Sequence, residues 1–482
     1  MAEHGRSAER ESASTNGHVL RFCGGEPFPA CSRVGRMIVI LANVLLVSPD
    51  RVAPEMAGPG IRYVELGRVI GRLHDVCLAA PAGSAAVSGA SVEAYDPDRP
   101  GSLKQLVAAA DVVVAPPLAP ALIRPVETLG RGWIVDFYNA EPFEGLAHAR
   151  SAGMRERLLD VVRIDRLAYA ARAGAAFICA NERQRDMWLG LLAANRRLAS
   201  SDYRHDPQLR SLIDIVPFGV PSGSPTRRGT GLRGSVFPQD AKIIVWNGGV
   251  WDWLDPDTVV LALVLLRERD RAWHLAFSGI GRPGDRSAMQ ASERVRELVH
   301  RVGLDAEHAV DIRQWTPYSE RAEALLDADM GVSAHSPSLE AHFAHRARML
   351  DLVWTRTPIL CSRGDEWGDV VTAERLGEAV PPGDPDALAK AALRIAERGR
   401  GFFDGALEAA ASARSWEAVA APLLELLDSV VARGPRQPGI TGRTVALRHS
   451  AAFAFSRRFA RVAGVPRSRG DTDVATPHPR QP

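Results

Sequence analysis

The sequence predicts an α/β protein made of two tandem Rossmann-like domains with a cleft between them. Three observations predict it. Short apolar runs alternate with amphipathic helical segments from residue 37 onward, the alternation breaks once in a Pro/Gly/Ser-rich stretch, and it then restarts over a similar length. A chain of 482 residues has room for two or three domains, and its 46% apolar and 24% charged fractions are those of a folded globular protein.

Taken in order, residues 1–36 carry Ser, Gly, Glu and Arg without apolar periodicity and read as a disordered leader, with Met37 an alternative start to Met1. The apolar run 37–47, preceded by Arg33 and Arg36, is too short to span a bilayer and reads as the first buried strand. Runs at 44–47, 75–79, 110–115, 133–136 and 175–180 are expected strands, and 60–73, 103–109, 154–171 and 183–192 the helices between them. This places a first domain at 37–216 and a linker at 217–240. The second domain, 241–433, is expected to hold strands at 242–246, 273–277, 330–333, 359–361 and 377–380. Asp255-Pro256 and Asp384-Pro385 open two of its helices, with Asp as N-cap and Pro in the first turn. Single helices are expected over 319–328 and 345–355, and a last helix over 416–432 closes this domain. The tail 434–482 contains a basic amphipathic segment at 443–463, able either to lie on an anionic membrane surface or to pack back on the first domain.

Composition excludes several classes. Lysine occurs only at Lys104, Lys242 and Lys390, none after a glycine, so there is no P-loop, and no His-Glu-x-x-His zinc motif is present. The net charge of +2 gives no reason to expect nucleic acid as a partner. Five widely spaced cysteines without Cys-x-x-Cys fit a reducing compartment, and a cytoplasmic location is expected. Gly279-Ile-Gly-Arg-Pro-Gly284 formally matches the dinucleotide fingerprint, but Pro283 disturbs the helix start and a surface turn is the simpler reading. Asp-x-Asp triplets at Asp96/Asp98, Asp255/Asp257, Asp327/Asp329 and Asp384/Asp386 read as caps and chance matches, so no metal is expected.

In an open α/β sheet the ligand sits beyond the carboxyl ends of the strands, so the loops there are the candidates. After the first strand, Gly58 and Gly60 precede a helix and allow close backbone approach to a phosphate. Trp246-Asn-Gly-Gly-Val-Trp-Asp-Trp253 offers a second glycine turn at Gly248 and Gly249. Trp251 and Trp253 can stack on a base or sugar, or fill the core under that turn. Further candidates are the segment 333–351 and the loop Ser362-Arg-Gly-Asp-Glu-Trp-Gly368, which contains Gly364 and Asp365. Asp136 and Glu141 follow a first-domain strand and are candidates to orient an acceptor or to act in catalysis, with strand-end capping as the alternative.

Together these residues resemble the family-4 glycosyltransferases of the two-domain GT-B fold, over roughly residues 42–430. The resemblance is strongest over 311–365, from Gln314-Trp-Thr-Pro-Tyr-Ser-Glu-Arg321 to the segment ending at Pro358, and extends to Val135-Asp-Phe-Tyr-Asn139 and the stretch 178–188. It points to a bacterial cell-surface or secondary-metabolite subgroup. It implies a retaining, metal-independent, hexosyl-type transferase. Such an enzyme takes the sugar of a nucleotide-diphosphate donor, needs no other cofactor, and delivers it to a polysaccharide, a lipid-linked sugar or a small metabolite. The family signature Glu–seven residues–Glu would place the donor-ribose carboxylate at Asp351 and its first Glu at Phe343, a departure for which Glu340 is the substitute. The Arg and Lys that usually hold the diphosphate are missing from 248–256, so Arg346 and Arg348 are expected to do so, with backbone N–H groups at Gly248 and Gly249. Two other functions stay open: a GT-B nucleotide-sugar epimerase, and a catalytically silent sugar-nucleotide-binding scaffold subunit.

Overall fold

The computed structural model describes residues 41–87, 90–148, 153–227, 229–280 and 286–434. The expected leader at 1–36, the basic segment at 443–463 and most of the glycine-rich stretch 279–284 lie outside them.

Two all-parallel sheets form the framework. The first contains β1 (Asn43–Val47), β2 (Asp75–Pro81), β3 (Val92–Tyr95), β4 (Val112–Ala115), β5 (Gly132–Asp136), β6 (Ala176–Cys179) and β7 (Ile213–Ile215), in the order β3-β2-β1-β4-β5-β6-β7. The second contains β8 (Lys242–Asn247), β9 (Trp273–Ser278), β10 (Val310–Ile312), β11 (Met330–Ser333), β12 (Ile359–Ser362) and β13 (Gly377–Val380), in the order β10-β9-β8-β11-β12-β13. Strand order reverses beside β1 in one sheet and beside β8 in the other, which opens a crevice at the carboxyl end of each. Strands such as Val112–Ala115 are buried at every position because helices cover both faces, which is why they read as unbroken apolar runs.

Three strands were not visible as apolar runs: Val92–Tyr95, Ile213–Ile215 and Val310–Ile312. All three are sheet edges or short, and each carries a charged or half-exposed residue within three or four positions. The two Asp-Pro helix starts are as expected. Asp255 accepts from the Thr258 N–H at 3.1 Å and Asp384 from the Ala387 N–H at 2.9 Å. Asp327 and Asp329 accept from the backbone N–H groups of Arg233 and Ile243, and Asp96 from that of Asp98, so these triplets are engaged locally.

Two expectations need correction. The helix Trp416–Arg433 does not close the second domain: it crosses back and packs on the first sheet, against β4 to β7 and the helix Gly58–Ile70. Val220 pairs with Ser415 at the crossing, Arg72 bonds Glu417 at 2.8 Å, and Val430 lies over Gly132. The cause is the uncovered face of that sheet, where Val44, Leu46, Val112, Val114 and Ile134 need apolar partners that Leu423, Leu427 and Val430 supply. The helix expected over 345–355 is there but starts later, as Arg348–Trp354, and a separate short helix that was not expected, Leu339–Phe343, precedes it, with extended backbone at Ala344 between them. Ser338 caps this preceding helix by accepting from Ala341 N–H at 3.0 Å, and its last carbonyls turn outward to Arg183 and Gln184 of the first domain.

Candidate functional site

The carboxyl ends of both sheets face one cleft, and its second-domain wall is made by the turn after β8. Gly248 adopts a left-handed φ of +84° with open space where a Cβ would be, and its own N–H donates to the Ser278 carbonyl at 2.8 Å. Gly249 is flanked by the Trp251 and Trp315 rings, each 3.4 Å from where its Cβ would sit. Trp251 in turn stacks on Trp253 at 5.9 Å. A Cβ at Gly249 would meet both rings at the edge of van der Waals contact.

Behind the turn lies Arg348. Its Nη2 donates to the Gly249 carbonyl at 2.6 Å, and its guanidinium sits 5.3 Å from the Trp246 ring. Its Nη1 is buried and has no hydrogen-bond partner. Burial, and next the charge of Arg346, push its pKa down to about 9. An anion placed against the turn would relieve both costs, since an unpaired buried donor is expensive and a charge-assisted bond to phosphate is strong. Asn247, at the end of β8, donates to the Arg348 carbonyl at 2.9 Å and leaves its own Oδ1 buried without a partner.

Arg346 is placed differently. It forms a buried bidentate pair with Glu340, both bonds 2.8 Å, and its Nε lies 3.6 Å from Asp365. Asp365 caps the helix Glu366–Glu374 by accepting from Gly368 N–H at 2.8 Å, and its other oxygen lies 3.3 Å from His335 Nε2. Burial works to raise the Asp365 pKa, but His335, the Arg346 charge and the Gly368 N–H outweigh it and hold the carboxyl below its ordinary value. Thus the two expected phosphate arginines separate: Arg348 has a free N–H at the turn, whereas Arg346 is committed to carboxylates. Glu340, expected to serve in catalysis, is that arginine's partner and has only 3% of its surface exposed. Gly364 has φ +108° and its carbonyl accepts from Arg183 of the first domain.

Asp351 lies on the helix Arg348–Trp354, about a third exposed, and accepts from Arg321 Nε at 3.0 Å. Burial raises its pKa while the Arg321 and Arg348 charges work against that rise.

In the first domain, Asp136 ends β5 and is buried. Both oxygens accept from Arg62, at 2.7 and 3.1 Å, and Arg62 also donates to the Val216 and Pro217 carbonyls at 2.8 and 2.9 Å. The pair therefore fastens the helix Gly58–Ile70 to the start of the linker, and no oxygen of Asp136 faces the cleft unpaired. Glu141 begins the helix Glu141–His148 and pairs with Arg166 at 2.6 Å, still partly exposed. Gly58 has open space around its Cβ position, whereas Gly60 is needed for packing: a Cβ would sit 2.9 Å from the Arg51 carbonyl.

The domains touch across the cleft. Phe343 stacks on Phe143 at 5.0 Å, Gln184 Nε2 donates to the Phe343 carbonyl at 2.9 Å, and Asn181 Nδ2 donates to Glu366 at 3.0 Å. Glu366 is also bonded by His345 at 2.9 Å, and a cavity of about 160 Å³ adjoins them, lined by Phe218, Leu350 and Trp367 among others. Sequence reasoning gave no role to Arg62, and none individually to Trp315, Arg321 and His335, although these three lie within the segments 314–321 and 333–351 it singled out; only the chain's path assembles them. No helix among the described residues is long and apolar enough to cross a membrane, and no group of three His, Cys, Asp or Glu residues is placed to hold a metal ion.

No protein-family model and no curated protein sequence matches the chain. Solved structures do. Sucrose-phosphate synthase from Thermosynechococcus elongatus is 16% identical, with a TM-score of 0.59 over 81% of this chain and all of that one. HepE from Anabaena, solved with UDP, is 11% identical with a TM-score of 0.57 over 81% of this chain and all of its own. WaaG, a glycosyltransferase of lipopolysaccharide biosynthesis, is 13% identical with a TM-score of 0.54 and the same coverage. Two parallel Rossmann-like sheets, a cleft between their carboxyl ends and a terminal helix that crosses back to the first domain give this chain the GT-B fold.

Proposed function

We propose that the protein is a glycosyltransferase that takes a sugar from a nucleotide-diphosphate donor held on the second domain. The observation that carries this reading is the buried, unpaired Arg348 Nη1 behind the Gly248–Gly249 turn, a cationic donor that a phosphate oxygen would satisfy. Asp351, nearby on the same helix, accepts from both ribose hydroxyls in this reading. HepE has been solved with UDP and with UDP-glucose, which makes a uridine donor the first to try.

The chemistry follows from charge. The bond between the anomeric carbon and the diphosphate oxygen breaks as an acceptor oxygen bonds to that carbon, and negative charge gathers on the leaving diphosphate. Arg348 and the backbone N–H of Gly249 neutralise it, so no metal is required. The leaving phosphate takes the acceptor's proton from the same face, which gives retention of configuration and leaves no separate base to find. Asp136 and Glu340 are each held bidentately by arginine and act as structural anchors in this scheme. Glu141, partly exposed and paired with Arg166, stays a candidate to orient the acceptor.

Thermal melting of the purified chain with UDP, GDP, ADP, TDP and CDP, with and without EDTA, tests the reading. One nucleotide should raise the melting temperature selectively and regardless of EDTA, and the shift should vanish in Arg348→Ala. Absence of any shift would refute it. Binding without donor consumption in the presence of acceptors would instead identify a silent scaffold.

A further inference from the structure

A set of groups beside the glycine turn runs from Asp351 to the first domain, and the scheme above gives it no task. Arg321 donates from Nε to Asp351 Oδ1 at 3.0 Å and from Nη1 to the Tyr318 carbonyl at 2.7 Å. Its guanidinium lies 3.7 Å from the centroid of the Tyr318 ring and 4.2 Å from that of Trp354. Two aromatic faces and two hydrogen bonds hold a long side chain in one place, a use that the planar guanidinium suits better than an ammonium. Trp354 is itself anchored, donating from Nε1 to the Gly223 carbonyl at 2.6 Å.

The clamp is braced from the other domain. Tyr318 donates from its hydroxyl to Glu65 at 3.1 Å, on the helix Gly58–Ile70, and from its backbone N–H to the Pro54 carbonyl at 2.8 Å, in the loop after β1. Opening the cleft at this edge would break both bonds. The residue that orients Asp351 is therefore held by a contact that exists only when the domains meet.

A carboxylate that accepts from two vicinal hydroxyls must keep its plane and its charge. Asp351 is on a helix of seven residues with part of its side chain in solvent, and burial of the rest favours its neutral form. Arg321 opposes both tendencies: its bond fixes one oxygen and its charge favours the ionised form.

We infer that Arg321 is a positioning residue for the ribose of a nucleoside diphosphate, acting through Asp351, with Tyr318 bracing it from the first domain. The inference rests on the donor reading above and goes beyond it by naming what makes Asp351 selective for a ribose.

Calorimetric binding of UDP, GDP, ADP and CDP to the full chain identifies the tightest nucleotide, which is then compared with its 2′,3′-dideoxy counterpart. The wild type should prefer the ribose form. Arg321→Gln should weaken the ribose form by about tenfold or more and leave the dideoxy form unchanged, because the lost bond acts only through the hydroxyls. Arg321→Lys should recover part of the loss, and Arg321→Gln added to Asp351→Asn should cost nothing further. A purely structural role would weaken both ligands alike and overturns the inference. So does an Arg321→Lys protein that folds and binds the ribose form no better than a dideoxy one while Arg321→Gln retains full preference. If the wild type binds a nucleotide without preferring the ribose form, the inference fails and the transferase reading stands. If it binds none, both fail.

Discussion

Arg346 donates two parallel hydrogen bonds of 2.8 Å to Glu340, and both side chains are buried within the second domain's wall of the cleft. Breaking such a pair from one side leaves a buried charge alone, which costs about 3–5 kcal/mol. Arg346→Ala should therefore destabilise the chain by that order, read as a lower midpoint in urea unfolding. Arg346→Met with Glu340→Leu, which removes both charges, should recover much of the loss. Loss of nucleotide affinity without loss of stability would return Arg346 to the phosphate site.

Arg348 makes the opposite prediction. Arg348→Ala gives up only the Nη2 bond to the Gly249 carbonyl and the packing on Trp246, so it should cost less stability than Arg346→Ala, about 1 kcal/mol. Nucleoside-diphosphate affinity should fall by about 1.5–3 kcal/mol, roughly ten- to a hundredfold, since a charge-assisted bond to phosphate is lost. Titration calorimetry reads both binding and its salt dependence.

Arg62 and Asp136 form the matching pair in the first domain. Asp136→Ala strands a guanidinium that also carries the Val216 and Pro217 carbonyls, so a loss of about 3–5 kcal/mol is expected. If Asp136 instead contacts an acceptor, the variant would melt normally and show a raised acceptor KM.

Asp365 predicts a pH dependence. Its pKa is held below the ordinary value in the folded chain, so the stability it contributes is present above the unfolded value of about 3.9 and is lost as pH falls through the folded one. Denaturation midpoints measured at successively lower pH should fall less steeply in Asp365→Asn than in wild type. Asparagine can still cap the helix Glu366–Glu374, which isolates the effect of charge.

Gly132 tests the crossover helix. A Cβ there would sit 2.3 Å from a methyl of Val430, so Gly132→Ala must displace the helix Trp416–Arg433 from the first sheet. Overpacking of this kind costs about 1–3 kcal/mol. The double change with Val430→Ala should restore the melting temperature.

The fold was legible because it depends on local patterns. Val112–Ala115 is apolar at each position since both faces of its sheet are covered, and Asp255 and Asp384 announce helix starts by chemistry that acts over three residues. Candidate loops were legible for the same reason: Gly248 directly follows β8, and Gly58 opens the helix after β1. What single positions do there was not. Arg346 and Arg348 are two residues apart and indistinguishable on paper, yet Arg346 lies in the link between two short helices and pairs back onto Glu340, whereas Arg348 opens the second helix and sits behind the glycine turn. Asp136 reads as an exposed strand end until Arg62, 74 residues earlier, is folded against it. The helix Trp416–Arg433 follows the second domain in the chain but belongs to the first in space, because the apolar face it needs lies there. By itself the sequence determined the elements and their order, since helix and strand formation answer to neighbours a few residues away. Which charges are paired and which are left for a ligand was decided only by tertiary structure, because pairing depends on distances through space between residues far apart in the chain.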